Sequence, residues 1–265
     1  MLNRLRALSN PIGLAIIGMG AMGQGLLYQA RLTPGLRCLA VADINLAKVL
    51  PLLDALACPY RVVQTAAEAE DCLAQGLLAV CEDAHQIVGL TAVSTVIEAS
   101  SAIAEAGGYA VAALGQGKHL VMMNAECDLI FGPRLLQLAT AAGVVYTSSD
   151  GDQHGVLKRL LDHLTLWGFA PVMAGNLKGY LDRRANPGSI VAEADKRHLD
   201  YRMCAAYTDG TKLNIEMALL ANALGYTAER PGMYGPRAAS VQQALTLFDL
   251  PACHRRGQAV EDYLL

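Results

Sequence analysis

Charge is scarce in this chain. Asp, Glu, Lys and Arg make up 17% of its 265 residues, and the net charge is only −3. Basic residues gather no further than pairs such as Arg183-Arg184 and Arg255-Arg256. Without a polybasic tract there is no electrostatic reason to expect nucleic acid or an anionic membrane as partner. The seven cysteines include no CxxC pair, and their number is odd. That argues against a disulfide framework or a structural metal site, so no metal is expected, and scattered reduced thiols point to the cytoplasm. No apolar run is long enough to span a bilayer; the segment Ile12 to Gly23 is too short and holds four glycines.

What is abundant is apolar residues, at 53%. This composition describes a compact globular protein, and the length suits two modest domains or one large α/β unit. "GLAII", residues 13–17, reads as a short strand and runs directly into "GMGAMG". Gly18, Gly20 and Gly23 then fit the spacing GxGxxG between a strand and a helix beginning near Ala21 and Met22. In that motif the first glycine makes a tight turn, the second lets a pyrophosphate approach, and the third lets helix pack on strand. The free N–H groups of the helix start would hold the phosphates.

A second strand, "LRCLAVAD", ends at Asp43, where a carboxylate would receive the adenosine ribose hydroxyls. Asp43 would repel a 2′-phosphate, which favours NAD over NADP, although Lys48 stands close enough to keep either cofactor open. The alternation continues through "LLAVCED", "STVIEAS" and "HLVMMNAE" as strands, with a helix over "AIAEAGGYAVAALGQGK". Apolar strands alternating with helices predict a parallel sheet covered on both faces. Ser100 and Asn124, in the loops at the carboxyl ends of two such strands, are candidate cofactor contacts. Residues 1–147 are therefore predicted to form a doubly wound, Rossmann-type dinucleotide domain. Residues 148–265 would form an α+β domain for substrate binding and oligomerisation.

The second half carries polar clusters. "VLKRLLDHLTLWG" reads as an amphipathic helix with Leu157, Leu160, Leu161 and Leu164 on one stripe. "PVMAGNLKGYLD" is strand-like, and residues 183–200 read as a polar loop. Lys178 lies between two glycines in "GNLKG". In "YTDGTKLNIEMALLANALG" the apolar helix carries Lys212 and Glu216 at its front. As a stabilising ion pair they are in the unfavourable order, and a cation at a helix start opposes the dipole. Placed at 100° per residue, Lys212 and Glu216 lie together beside a core stripe of Leu213, Met217, Leu220 and Leu224. An ammonium and a carboxylate side by side against apolar walls would polarise a substrate carbonyl and position a proton donor. Lys178 and Lys212 are thus candidate catalytic residues. Asp209 and Glu216 would orient Lys212, while Glu126, Asp150 and Asp152 would supply further polar contacts.

Together "GMGAMGQG", "VIEAS", "MMNAECD", "SSDGDQHG", "GNLKG" and "YTDGTKLNIE" resemble the homoserine-dehydrogenase-like oxidoreductases, in the branch that includes deoxyxylulose phosphate reductoisomerase-like proteins. The resemblance implies a nicotinamide-binding Rossmann domain, a substrate domain, a dimer or tetramer of like chains, and NAD(P)H-dependent chemistry on a small carbonyl or alcohol. It also implies that relatives continue past "VEDYLL", making this chain a short form or a fragment. Two alternatives stay open. One is a reductoisomerase using NADPH and a divalent metal held by Asp150, Asp152 and Glu126. The other is a protein that binds the dinucleotide without chemistry.

Overall fold

The computed structural model describes residues 1–265, which divide into two compact units, Met1–Ser149 and Asp150–Leu265. In the first unit a short helix α1 (Leu2–Arg6) precedes strand β1 (Ile12–Ile17), helix α2 (Ala21–Leu32) and strand β2 (Leu36–Ala42). Helix α3 (Leu46–Ala55), strand β3 (Tyr60–Val62), helix α4 (Ala66–Ala74) and strand β4 (Leu78–Cys81) follow. Strand β5 (Thr95–Glu98), helix α5 (Ala104–Gly115), strand β6 (His119–Met122), helix α6 (Ala125–Ala142) and strand β7 (Tyr146–Ser148) complete it.

The seven strands form one parallel sheet in the order β3-β4-β2-β1-β5-β6-β7. Successive residues of single strands serve different cores. Ala15, Ile17, Ala40, Ala42, Val96 and Met122 join one apolar cluster with α4, α5 and α6. Ile16, Val41 and Val80 join another with Leu27 of α2 and Val49 and Leu53 of α3. A strand buried on both faces needs no polar alternation, which is why these segments read as continuous apolar runs. The strand order reverses between β1 and β5, the place where open α/β sheets bind ligands beyond the carboxyl ends of their strands.

The second unit contains helix α7 (Gln153–Leu166), strand β8 (Met173–Leu177), helix α8 (Val191–Arg197), helix α9 (Tyr201–Asp209) and helix α10 (Thr211–Leu224). Strand β9 (Thr227–Ala228), helices α11 (Ala244–Leu247) and α12 (Leu250–Arg256) and strand β10 (Val260–Leu264) end the chain. Strand β10 lies in the middle of a parallel sheet ordered β8-β10-β9. Its five residues are all buried. Ala174 and Tyr263 on one face of this sheet pack with Leu161, Leu213, Met217 and Leu220, so α7 and α10 cover that face.

Several expectations are corrected here. The 183–200 segment is not all loop, because α8 forms within it and ends at His198, which takes up a left-handed conformation. Leu160 is off the buried stripe of α7 and half exposed. The strand expected to reach Glu126 stops at Met122. Asn124 then starts α6 instead, its side chain accepting from the Cys127 N–H at 3.0 Å. Asparagine is among the best N-cap residues, and its local bond wins over strand extension.

Candidate functional site

The glycine turn follows β1. Gly18 has φ +87°, a left-handed conformation that favours glycine, and its N–H donates to the Ala42 carbonyl at 2.8 Å. A Cβ at Gly18 would lie 2.5 Å from the Ser100 nitrogen, so the turn packs directly on the segment leaving β5. A Cβ at Gly23 would lie 1.9 Å from the Gly18 carbonyl oxygen, so α2 is seated against the turn. Gly20 behaves differently. A Cβ there would meet nothing within 4 Å, and the residue is an exposed N-cap that makes no side-chain capping bond. Ala21 and Met22 are exposed in the first helical turn. Packing explains two of the glycines, while Gly20 keeps open space over the uncapped start of a twelve-residue helix. Unsatisfied N–H groups and the positive end of the dipole make that place suited to phosphate.

Asp43, just beyond β2, is tied to the same turn. Its carboxylate accepts the Met19 N–H at 2.6 Å through one oxygen and the Asn45 N–H at 2.8 Å through the other. Its own N–H donates to the Cys81 carbonyl at 3.1 Å. Cys81 helps line a cleft of about 260 Å³ together with Leu46, Val62, Val63, Gln64 and Gln86. Glu82 and Asp83 complete its wall. The cleft therefore adjoins the Asp43 segment and lies at the carboxyl ends of β3 and β4. Its lining combines the apolar Leu46, Val62 and Val63 with the amides of Gln64 and Gln86.

On the other side of the turn, Ser100 is half-buried and donates through its N–H and hydroxyl to Glu98. Asn124 is 4% exposed and donates to the Ala102 carbonyl. Glu126 lies half-buried in the first turn of α6. Sequence reasoning passed over Glu98 and the lining of the cleft. The acid in "VIEAS" was a weak signal, since a carboxylate at the end of an apolar strand can equally stay part exposed, as Asp43 beyond β2 does.

In the second unit, α9 ends at Gly210, whose φ of +94° breaks the helix before α10 begins. Asp209 accepts the Thr211 N–H at 2.7 Å. Lys212 and Glu216 are each 5% exposed, and both have partners. Burial of both charged groups on one turn is costly unless they are paired or used. Leu213, Met217 and Leu220 are 1% exposed or less beside them. Lys178 is half-buried just past β8, where its N–H donates to the Leu264 carbonyl at 2.9 Å. It directly follows β8, and α10, which carries Lys212, packs on the sheet that β8 and β10 form.

The remaining acids are placed otherwise. Asp150 is well exposed and forms a 2.7 Å ion pair with Arg159. Asp152 is the half-buried residue ahead of α7. No group of three or more His, Cys, Asp or Glu side chains is arranged to hold a metal ion. No helix is long and apolar enough to cross a membrane. Beside α7, Val156, Leu157, Gly175, Asn176 and Leu177 line an open cleft of about 420 Å³.

No curated protein sequence matches the chain. Among solved structures, a homoserine dehydrogenase from Thiobacillus denitrificans shares 18% identity at a TM-score of 0.55, over 82% of this chain and 50% of that one. A 1-deoxy-D-xylulose 5-phosphate reductoisomerase from Zymomonas mobilis, in complex with NADPH, shares 12% at 0.55, over 82% and 59%. A DOX-P reductoisomerase in complex with magnesium shares 20% at 0.51, over 80% and 58%. Identities this low speak for the fold alone, and the chain spans 50 to 59% of the length of these three proteins. Residues 151–261 match the model of the family described as oxidoreductase DRL, catalytic domain. The chain therefore joins a Rossmann-type sheet to a segment with the sequence pattern of an oxidoreductase catalytic domain.

Proposed function

We propose that this protein is an oxidoreductase that uses a nicotinamide dinucleotide to reduce or oxidise a small polar carbonyl or alcohol compound. The observation that carries the reading is the division of labour in the glycine turn. Gly18 and Gly23 are needed for packing, and Gly20 alone leaves room above a helix start. The residues present fit the cofactor. Gly20, Ala21 and Met22 would hold the diphosphate through backbone N–H groups. Asp43 would receive the adenosine ribose, and the Leu46–Val63–Gln86 cleft the adenine. Ser100 and Asn124 would contact the nicotinamide half. When bound, the dinucleotide supplies or accepts the hydride.

Asp43 adds a preference. Its carboxylate oxygens already accept two backbone N–H groups, which hold the side chain in place. With Glu82 and Asp83 also at the cleft, a 2′-phosphate would meet a negative wall, so NAD is favoured over NADP.

The substrate chemistry falls to the second unit. The Lys212 ammonium, set in apolar surroundings, would stabilise negative charge developing on the substrate oxygen, and Lys178 would share that role or relay the proton. Asp209 and Glu216 would orient Lys212. Glu126, Asp150 and Asp152 would take secondary polar contacts, of which Asp150 is the most open to solvent. The test is fluorescence titration of the chain with NADH and NADPH, followed by turnover assays over a panel of small carbonyl compounds. Saturable NADH binding with turnover of at least one compound is expected. Failure to bind either dinucleotide would overturn the reading, and binding without turnover would leave a dinucleotide-binding protein in its place.

A further inference from the structure

Strand β5 runs through Val96 and Ile97 to its last residue, Glu98, which is 0% exposed. Its register partners are Ile17 on β1 and Met122 on β6, so the carboxyl points into the apolar layer under α5 and α6. One oxygen, Oε1, accepts the Ser100 N–H at 3.0 Å and the Ser100 hydroxyl. The other, Oε2, is buried with no hydrogen-bond partner. Asn124 adds a hydrogen bond from the α6 side.

No cation balances this group. Facing it are Cys127 from α6 and Tyr109 from α5, both pushed up by burial, the Cys127 thiol to about 12. Asp83, Glu105 and Cys81 lie around Tyr109 and bring no positive charge, and the His85 ring meets Tyr109 edge-on with 4.8 Å between centroids. Burial therefore prevails over the Ser100 and Asn124 hydrogen bonds and pushes Glu98 up to about 7. The position relates this acid to the cofactor site. Ser100, which Glu98 holds, is the residue against which Gly18 packs, with a Cβ at Gly18 falling 2.6 Å from the Ser100 Cα.

We propose that Glu98 is a proton-linked positioning residue of the dinucleotide site: it fixes Ser100 beneath the glycine turn and must be neutral for the cofactor diphosphate to bind tightly. The proposal rests on the dinucleotide reading of that turn. A diphosphate at the start of α2 places negative charge across the Gly18–Ser100 contact from a buried group that salt screens poorly. The ionised acid and the bound diphosphate oppose one another, so binding raises the affinity of Glu98 for its proton. By linkage, cofactor affinity is highest below neutral pH and falls as pH rises through the Glu98 titration. The wild-type chain takes up a proton on binding in that range.

Titration calorimetry of the full chain with ADP-ribose, which carries the diphosphate without nicotinamide, tests this. Wild-type affinity is expected to weaken by about tenfold between about pH 6 and about pH 8.5. Heats measured in buffers of different ionisation enthalpy should show the proton uptake. Glu98→Gln should bind with no such dependence, at the wild-type low-pH affinity. Should that variant fail to fold, the glutamate side-chain carboxyl carbons of the wild type can be titrated by NMR. Of the two glutamate midpoints near neutrality, those of Glu98 and Glu261, the Glu98 one, assigned as the midpoint that remains in Glu261→Gln, should then move upward when ADP-ribose is added. Matching pH profiles for wild type and Glu98→Gln, or two near-neutral glutamate midpoints that ADP-ribose leaves where they are, would overturn the proposal while leaving the cofactor site intact. No ADP-ribose binding at any pH would overturn both.

Discussion

Gly23 sits so close to Gly18 that its α-carbon can bear no side chain, since any Cβ would fall 1.9 Å from the Gly18 carbonyl oxygen. Gly20, between them, has no such neighbour. The two positions make opposite predictions for the same substitution. Gly23→Ala forces helix and turn apart and should cost about 1–3 kcal/mol or more of stability, seen as a lowered thermal midpoint. Gly20→Ala should melt as the wild type does yet bind NADH at least about tenfold more weakly, because the methyl group takes up the space left for diphosphate. Equal melting of both variants would contradict the packing account.

Asp43→Asn keeps the shape of the side chain and removes its charge. NADH affinity should fall, and the preference for NADH over NADPH should shrink by about tenfold, the scale of one charge-assisted hydrogen bond. Parallel titrations with both cofactors measure the ratio. An unchanged ratio would remove Asp43 from the specificity argument.

Lys212→Met preserves length and apolar contact while deleting the ammonium. Turnover should drop by about a hundredfold or more, with NADH affinity within about twofold of wild type because the cofactor groups lie in the other unit. Lys178→Met should show the same pattern with a smaller loss. Retained turnover in Lys212→Met would return Lys212 and Glu216 to a purely structural role.

Glu261 offers a pH test of the second unit. It is 5% exposed, its Oε2 has no hydrogen-bond partner, and it is pushed from 4.5 up to about 7, first by burial and then by the adjacent Asp262 charge. A carboxyl raised in the folded state stabilises the fold below its ordinary value, and that stability is lost as pH rises through about 7. Glu261→Gln cannot ionise, so its thermal midpoint should gain on the wild type as pH climbs from about 5 to about 8. Parallel curves for the two proteins over that range would argue against burial as the cause.

The parts of the fold that were legible in the sequence are those where one residue type answers one physical demand. The glycine spacing, the apolar strands around it and the acid ending β2 each have few alternative explanations. The burial of Lys212 and Glu216 was visible too, because a helix without a polar face has nowhere to expose them. The rest was obscured by local competition. Asn124 looked like part of a strand, and its capping of α6 emerges only once the chain turns at Met123. Strand β10 was missed because "VEDYL" puts two acids in its middle. The structure buries both, with the Asp262 carboxylate accepting the N–H groups of Tyr234 and Gly235 at 2.9 and 2.8 Å. Glu98 went unnoticed for the same reason, as an acid that reads as surface and serves as interior.

The central place of β10 in its sheet has a kinetic consequence. Strands β8 and β9 each pair with β10 and with no other strand, so neither finds its neighbour until residues 260–264 have been brought back across almost the whole unit. Long-range pairing of this kind is slow, because the intervening polypeptide must lose its freedom before any pairing bond forms. On dilution from denaturant, the lobe bearing Lys178 and Lys212 should therefore mature late, and the ordering of its lysines should lag behind the recovery of helix content.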